Sequence, residues 1–277
     1  MSLESAALES RCVTLMLTTV ATGTILSGAE ILARQKECNG SGLFSWPVTR
    51  TSHPVVMTTN LAPVVDSLCN YPQYAVAIGF QVVCATMVLA RILPSLTGYL
   101  LLTMLLIHLL TMFRNRAGTD GADQMQTIVL ACLSCYYATA DPLIRESVLW
   151  FIAFQISLAY FTAGIAKIFS PSWRKGTVMK TSFAHLALGS KGLYKLMPKG
   201  ARTNQLMAIL VIMFESAFPF FMLSGPKICI VALVCGFLLH LLIAIGLGLP
   251  RFLFTFVAGY PAVFLVSVKA ASLLGLR

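Results

Sequence analysis

The sequence predicts an all-α polytopic membrane bundle of about eight spanning helices, and three observations carry that prediction. Of 277 residues, 57% are hydrophobic and 11% are charged, whereas soluble domains carry roughly 25% charged residues. Mean hydropathy is +0.82, and apolar runs recur near the length of about 20 residues that crosses a bilayer. These runs lack the period-two alternation of a barrel strand, and lipid leaves backbone polar groups no outside partner, so helices remain. The composition excludes a soluble enzyme. It also leaves almost no chain for a second domain, so residues 1–277 read as a single transmembrane domain.

Eight runs make up the bundle: residues 12–32, 74–93, 96–113, 125–140, 147–169, 206–223, 228–249 and 252–268. The first follows Glu4 and Glu9 rather than a basic leader, and its 21 residues exceed an ordinary signal core, so it reads as a retained helix. The second and third bring no acidic residue into the bilayer, and the third carries His108. The fourth and eighth are short, at 16 and 17 residues. The fifth ends on Lys167, the sixth holds Glu215 near its middle, and the seventh holds His240 near its middle. Outside the spans lie an extramembrane loop, residues 33–73, a short polar loop, residues 114–124, and a basic interfacial loop, residues 170–205. No internal repeat or low-complexity tract interrupts them.

The net charge of +10 is unevenly placed. If the N-terminus and every even-numbered gap lie on one side, that side holds six Lys and Arg and the other thirteen, with Lys167 inside a span. Taken alone, the positive-inside rule puts the thirteen in the cytoplasm. Such an excess of cations suits anionic lipid headgroups or an anionic ligand, and nothing in the chain points to nucleic acid. Six of the eight cysteines fall in apolar runs, while Cys38 and Cys69 share one polar loop. That pair reads either as a staple formed in an oxidising compartment or as two unpaired thiols. Cys132 and Cys135 form a C-x-x-C inside the fourth run, where no basic residue activates a thiolate, so packing outweighs redox chemistry. His53, His108, His185 and His240 are too scattered to predict a metal site. Neither a phosphate-binding glycine loop nor a nucleophile elbow is present.

Ionisable groups inside spans are rare and are functional candidates by default, which singles out Lys167, Glu215, His240 and His108. A lysine at a helix end commonly snorkels to the headgroups, and an intramembrane imidazole is commonly neutral and bonded to a neighbouring helix. Glu215 is harder to explain away, because a carboxylate at that depth must be protonated or paired, with Lys167 as one candidate partner. Offsets of three and four place Ser157, Tyr160, Gly164 and Lys167 on one helix face. Gly164 leaves room for a neighbouring helix or a flat ligand. Tyr160 adds a ring and a hydroxyl, Trp173 an interfacial ring, and Gly176 a bend. A lysine held at such a boundary sheds hydration, which favours the neutral amine that a base requires.

Gln155, Tyr160, Ala163-Gly164-Ile165-Ala166-Lys167, Trp173 and Gly176 resemble the central motif of the HTTM family, the membrane region shared with vitamin K-dependent γ-carboxylases. Asn115 and Gly118-Thr119-Asp120-Gly121-Ala122-Asp123-Gln124 resemble the loop of short bacterial members, which include sporulation-delaying-protein B-like proteins. Glu215 with Pro219, and His240 with Gly246 and Phe252, resemble later spans of that family. The resemblance implies that Lys167 is a catalytic base supported by Glu215 and His240. Tyr160, Gly164, Trp173, Asn115, Arg116 and Asp120 would then line a substrate or cofactor pocket. It implies a reduced quinone as cofactor and a secreted, toxin-type peptide as substrate, matured with a small accessory protein. It further implies a bacterial cytoplasmic membrane, a cytoplasmic N-terminus, an outward-facing Lys167 and a Cys38–Cys69 disulfide, against the charge count. Two departures from the carboxylases, the end of the chain at Arg277 and Arg116 in place of a histidine after Asn115, favour peptide maturation over propeptide-directed carboxylation. Two rival classes remain: a transporter with a Glu215, His240 and Lys167 relay and a break at residues 246–250, and a non-catalytic scaffold or immunity protein.

Overall fold

The computed structural model describes residues 3–40, 42–184, 191–196 and 198–275, and every regular element in them is helical. The chain folds as two compact units, Leu17–Val148 and Leu149–Arg277 together with Met1–Met16.

Helix α1 (Leu3–Ala33) contributes its residues up to Met16 to the second unit and the rest to the first, where four short helices follow, α2 (Gln35–Cys38), α3 (Trp46–Thr49), α4 (Pro54–Met57) and α5 (Ala62–Cys69). Three longer helices, α6 (Gln73–Leu89), α7 (Thr97–Arg114) and α8 (Gly121–Ala138), then pack in sequence order. Polar side chains tie neighbouring helices through backbone carbonyls, which satisfies them without water. Gln81 Nε2 of α6 donates to Met104 O of α7 at 2.9 Å. His108 Nε2 of α7 donates to Asp123 O of α8 at 3.0 Å. His108 is therefore a tie between helices, the ordinary role of an intramembrane imidazole. Asp120 caps α8: its Oδ1 accepts the N–H groups of Ala122 and Asp123, while Asp123 Oδ2 accepts the Asp120 N–H.

The loop between α1 and α6 is organised by one cation. Arg114 is fully buried, and its guanidinium donates to Cys69 O at 3.0 Å, Cys38 O at 3.1 Å and Phe44 O at 2.8 Å. It also lies 4.3 Å from the centre of the Tyr74 ring. One planar fork thus fastens both ends of the loop to the end of α7. Cys38 and Cys69, whose carbonyls share that fork, hold free thiols, and no disulfide joins them in the structure. Burial pushes the Cys69 thiol up to about 11, which keeps it protonated and unreactive. Further along the loop, Asp66 accepts from Arg50 Nε at 2.8 Å, Arg50 Nη2 at 3.0 Å and Trp46 Nε1 at 2.7 Å. The arginine, helped by the indole, holds the Asp66 carboxyl below its ordinary range.

In the second unit, α9 (Pro142–Phe169) leads to three short helices, α10 (Pro171–Arg174), α11 (Thr177–Ala184) and α12 (Lys191–Leu196). Three long helices follow, α13 (Ala201–Leu223), α14 (Pro226–Leu247) and α15 (Pro250–Leu274). Proline opens α14 and α15, where its missing N–H costs nothing. Gly248 closes α14 with φ +66°, a conformation that suits glycine. α15 packs on α14 and α13, and its Gly259 lies under α9, where a Cβ would meet Ile156 at 2.5 Å.

Among the described residues, six helices are long and apolar enough to cross a membrane, or seven if the bent pair of α5 and α6 counts as one span. That stands against the eight expected spans. α6 has 17 residues and reaches spanning length only with α5, from which it bends by 64°. α8 is helical over most of the expected fourth span, but Asp123, Gln124 and Gln126 make its first turns polar. Basic-loop residues 185–190, including His185, lie outside the described residues.

The buried fork generates a test. Arg114→Ala leaves three carbonyls without donors and should cost about 3 kcal/mol or more. Arg114→Lys should recover only part of this, because one ammonium cannot bridge the same carbonyls. Thermal unfolding in detergent, with proteolysis of residues 34–72 as a local readout, checks it; unchanged protection in Arg114→Ala removes the fork's anchoring role.

Candidate functional site

Within the second unit, the face predicted on the fifth span forms as read. Ser157, Tyr160 and Gly164 are buried on α9, and Lys167 follows one turn later. Lys167 Nζ lies 2.5 Å from Glu215 Oε2 of α13, with side chains 17% and 9% exposed. Those low values decide the electrostatics, since a pair hidden from water interacts far more strongly than a surface pair. The ammonium also sits 4.8 Å from the centre of the Trp173 ring of α10, a cation–π contact that holds it over an aromatic face.

Gly164 explains how the pair forms. A Cβ there would come within 2.5 Å of Ser216 N and Oγ, so α9 and α13 approach backbone to backbone beside Glu215. Of the two uses expected for that glycine, the neighbouring helix takes the space. Tyr160 stacks on Phe218 at 4.1 Å, and its hydroxyl lies 2.6 Å from that of Tyr260 on α15. Gly236 of α14 makes this contact fit, because a Cβ would meet both hydroxyls, at 2.6 and 2.7 Å.

His240 completes the cluster without a hydrogen bond. Its ring stacks on Phe256 at 4.4 Å and lies edge-on to Tyr160 at 5.6 Å. Both ring nitrogens, and Ser216 Oγ, are buried with no hydrogen-bond partner among the described residues. Buried polar groups are nearly always satisfied, so these atoms are the unspent hydrogen-bonding capacity of the cluster.

Thus the unit brings together Lys167, Glu215, His240, Tyr160, Gly164 and Trp173. Asn115, Arg116 and Asp120 belong to the other unit and have local roles there. Asn115 Oδ1 accepts from Arg114 at 3.1 Å, Arg116 donates to Ser52 O at 3.4 Å, and Asp120 caps α8. Cys132 and Cys135 lie on α8 as free thiols. Sequence reading missed Tyr260, Ser216, Gly236 and Phe256. Spacings of four residues, Phe256 to Tyr260 and Gly236 to His240, place each pair on one helix face and were the available signal. Comparison with family models, characterised proteins and solved structures gives no match.

Gly164→Ala should force α9 from α13 and lower stability by about 1–3 kcal/mol, the usual cost of overpacking. Thermal unfolding in detergent measures it, and a variant as stable as the parent contradicts the close approach.

Proposed function

We propose that the protein is a membrane-embedded enzyme of the HTTM type, in which Lys167 is the base for maturation of a secreted peptide. The observation that carries the reading is the buried contact of Lys167 with Glu215. Sharing one proton across so short a contact allows a neutral amine and a carboxylic acid to replace the ion pair at little Coulombic cost, because charge separation in an apolar site is expensive. Glu215 therefore positions the amine and takes up or returns the proton that frees it. Trp173 holds the nitrogen over its ring at the end of α9.

A flat ligand that carries hydroxyl or carbonyl groups would find hydrogen-bond partners in the His240 nitrogens and Ser216 Oγ, which have none among the described residues. A reduced quinone, when bound, supplies an acidic hydroxyl on which such a base can act. His240 and Ser216 would orient that group, Lys167 would take its proton, and the surrounding Phe218 and Phe256 rings would keep water away. The peptide, a small accessory protein and a bacterial cytoplasmic membrane with the N-terminus inside belong to the same reading and rest on the family resemblance.

Mass spectrometry of peptides secreted by the native host tests it, with membrane levels of each variant checked. Lys167→Ala should abolish a defined mass change in one peptide, and Lys167→Arg should fail too, because a guanidinium does not give up its proton. An unchanged set of peptides overturns the enzyme reading. Transport lost in Glu215→Gln with peptides intact would favour the coupling relay.

A further inference from the structure

The residues from Leu149 to Arg277 include twelve Lys and Arg and one acidic residue, Glu215. That single carboxylate is taken up by Lys167 inside the bundle. Glu4 and Glu9, the other carboxylates of this unit, lie on α1, and the cations between α10 and the start of α13 belong to a stretch with no acidic residue of its own. Of these, Arg174, Lys175, Lys195, Lys199 and Arg202 are exposed and Lys180 is half-buried. Among the described residues, none of the six pairs with a carboxylate.

Their placement is fixed by the unequal reach of two helices. α9 ends two residues beyond Lys167, whereas α13 begins fourteen residues before Glu215, a rise of about 21 Å at 1.5 Å per residue. α10 and α11 fill the space that α9 leaves beside the first half of α13. Gly176, at φ +71°, brings the chain against the backbone of Asn204 and Gln205, where any Cβ would collide. Gln205 Nε2 donates to Arg174 O at 3.0 Å, and Lys180 Nζ donates to Lys199 O at 3.3 Å. The described parts of the cap, α10, α11 and the turn before α13, are thus held against the start of a spanning helix together with their cations. Trp173 of α10 and the exposed Tyr194 of α12, ring types favoured at the lipid headgroup level, belong to the same segment.

We infer that this cap is a binding surface for the phosphate of an anionic glycerophospholipid headgroup. Position at a helix end, aromatic rings in the same segment and exposed cations without carboxylate partners among the described residues are the features such a headgroup requires. The inference stands apart from the catalytic reading, since none of the six cations touches the Lys167–Glu215 pair.

Native mass spectrometry of the purified full chain, released from micelles with equal phosphatidylglycerol and phosphatidylcholine of matched acyl chains, tests it. The wild type should retain phosphatidylglycerol at least about tenfold over phosphatidylcholine, with retention falling as salt screens the cap. The exposed triple variant R174Q/K175Q/R202Q should bring the ratio close to one. K227Q/K269Q, at the opposite end of the α13–α15 bundle, should leave it unchanged. Competition by inorganic phosphate should lower retention, as expected if the headgroup phosphate is what is bound. Equal retention of the two lipids by the wild type, an unchanged ratio in the triple variant, or binding of a poly-Glu peptide in place of lipid would overturn the proposal.

Discussion

A carboxylate in the middle of an apolar helix must find a cation or lose its charge, and that requirement organises the packing of α9 against α13. Glu215 is the only acidic residue from Leu149 to Arg277. Lys167 meets the requirement from α9, and the meeting is possible because Gly164 lets the backbones of α9 and α13 touch. The contact determines which face of α9 turns inward. Tyr160, one turn from Gly164 on that face, is then carried to Tyr260, and the Phe218 and Phe256 rings close around it and His240. The proposed role of Lys167 as a base rests on the same contact.

The unit Leu17–Val148 solves a comparable problem differently. Arg114 is as thoroughly buried as any residue in the chain, yet its partners are chiefly carbonyl oxygens and the Tyr74 ring. A guanidinium satisfied by dipoles anchors a loop without offering an exchangeable proton, since it remains charged at any accessible pH. The buried Arg114 is therefore an anchor, and the half-buried Lys167 a reactive candidate.

Helical class was legible because composition and run length leave few alternatives in lipid. The number of spans was less so: α6 is short and bends from α5, and a polar start lowers the hydropathy of α8, features that depend on local packing rather than on the length of a run. At the site, spacing along α9 correctly put Tyr160, Gly164 and Lys167 on one face, because helical periodicity is a local property. His240 of α14 was legible as an ionisable group inside a span, but the meeting of Gly236 and Tyr260 with Tyr160 was not, since it arises only through tertiary contact. Asn115, Arg116 and Asp120 share a motif with one another in sequence, but their structural partners are a neighbouring guanidinium, a loop carbonyl and a helix N-terminus.

The most direct measurement of the central constraint is a double-mutant cycle between Lys167 and Glu215, read by thermal unfolding in detergent. Lys167→Met and Glu215→Leu should each destabilise by about 3–5 kcal/mol, because each strands a buried charge, while the double variant should recover most of that loss. Additive losses, with the double variant the least stable of the four proteins, would contradict the pair as the organising contact.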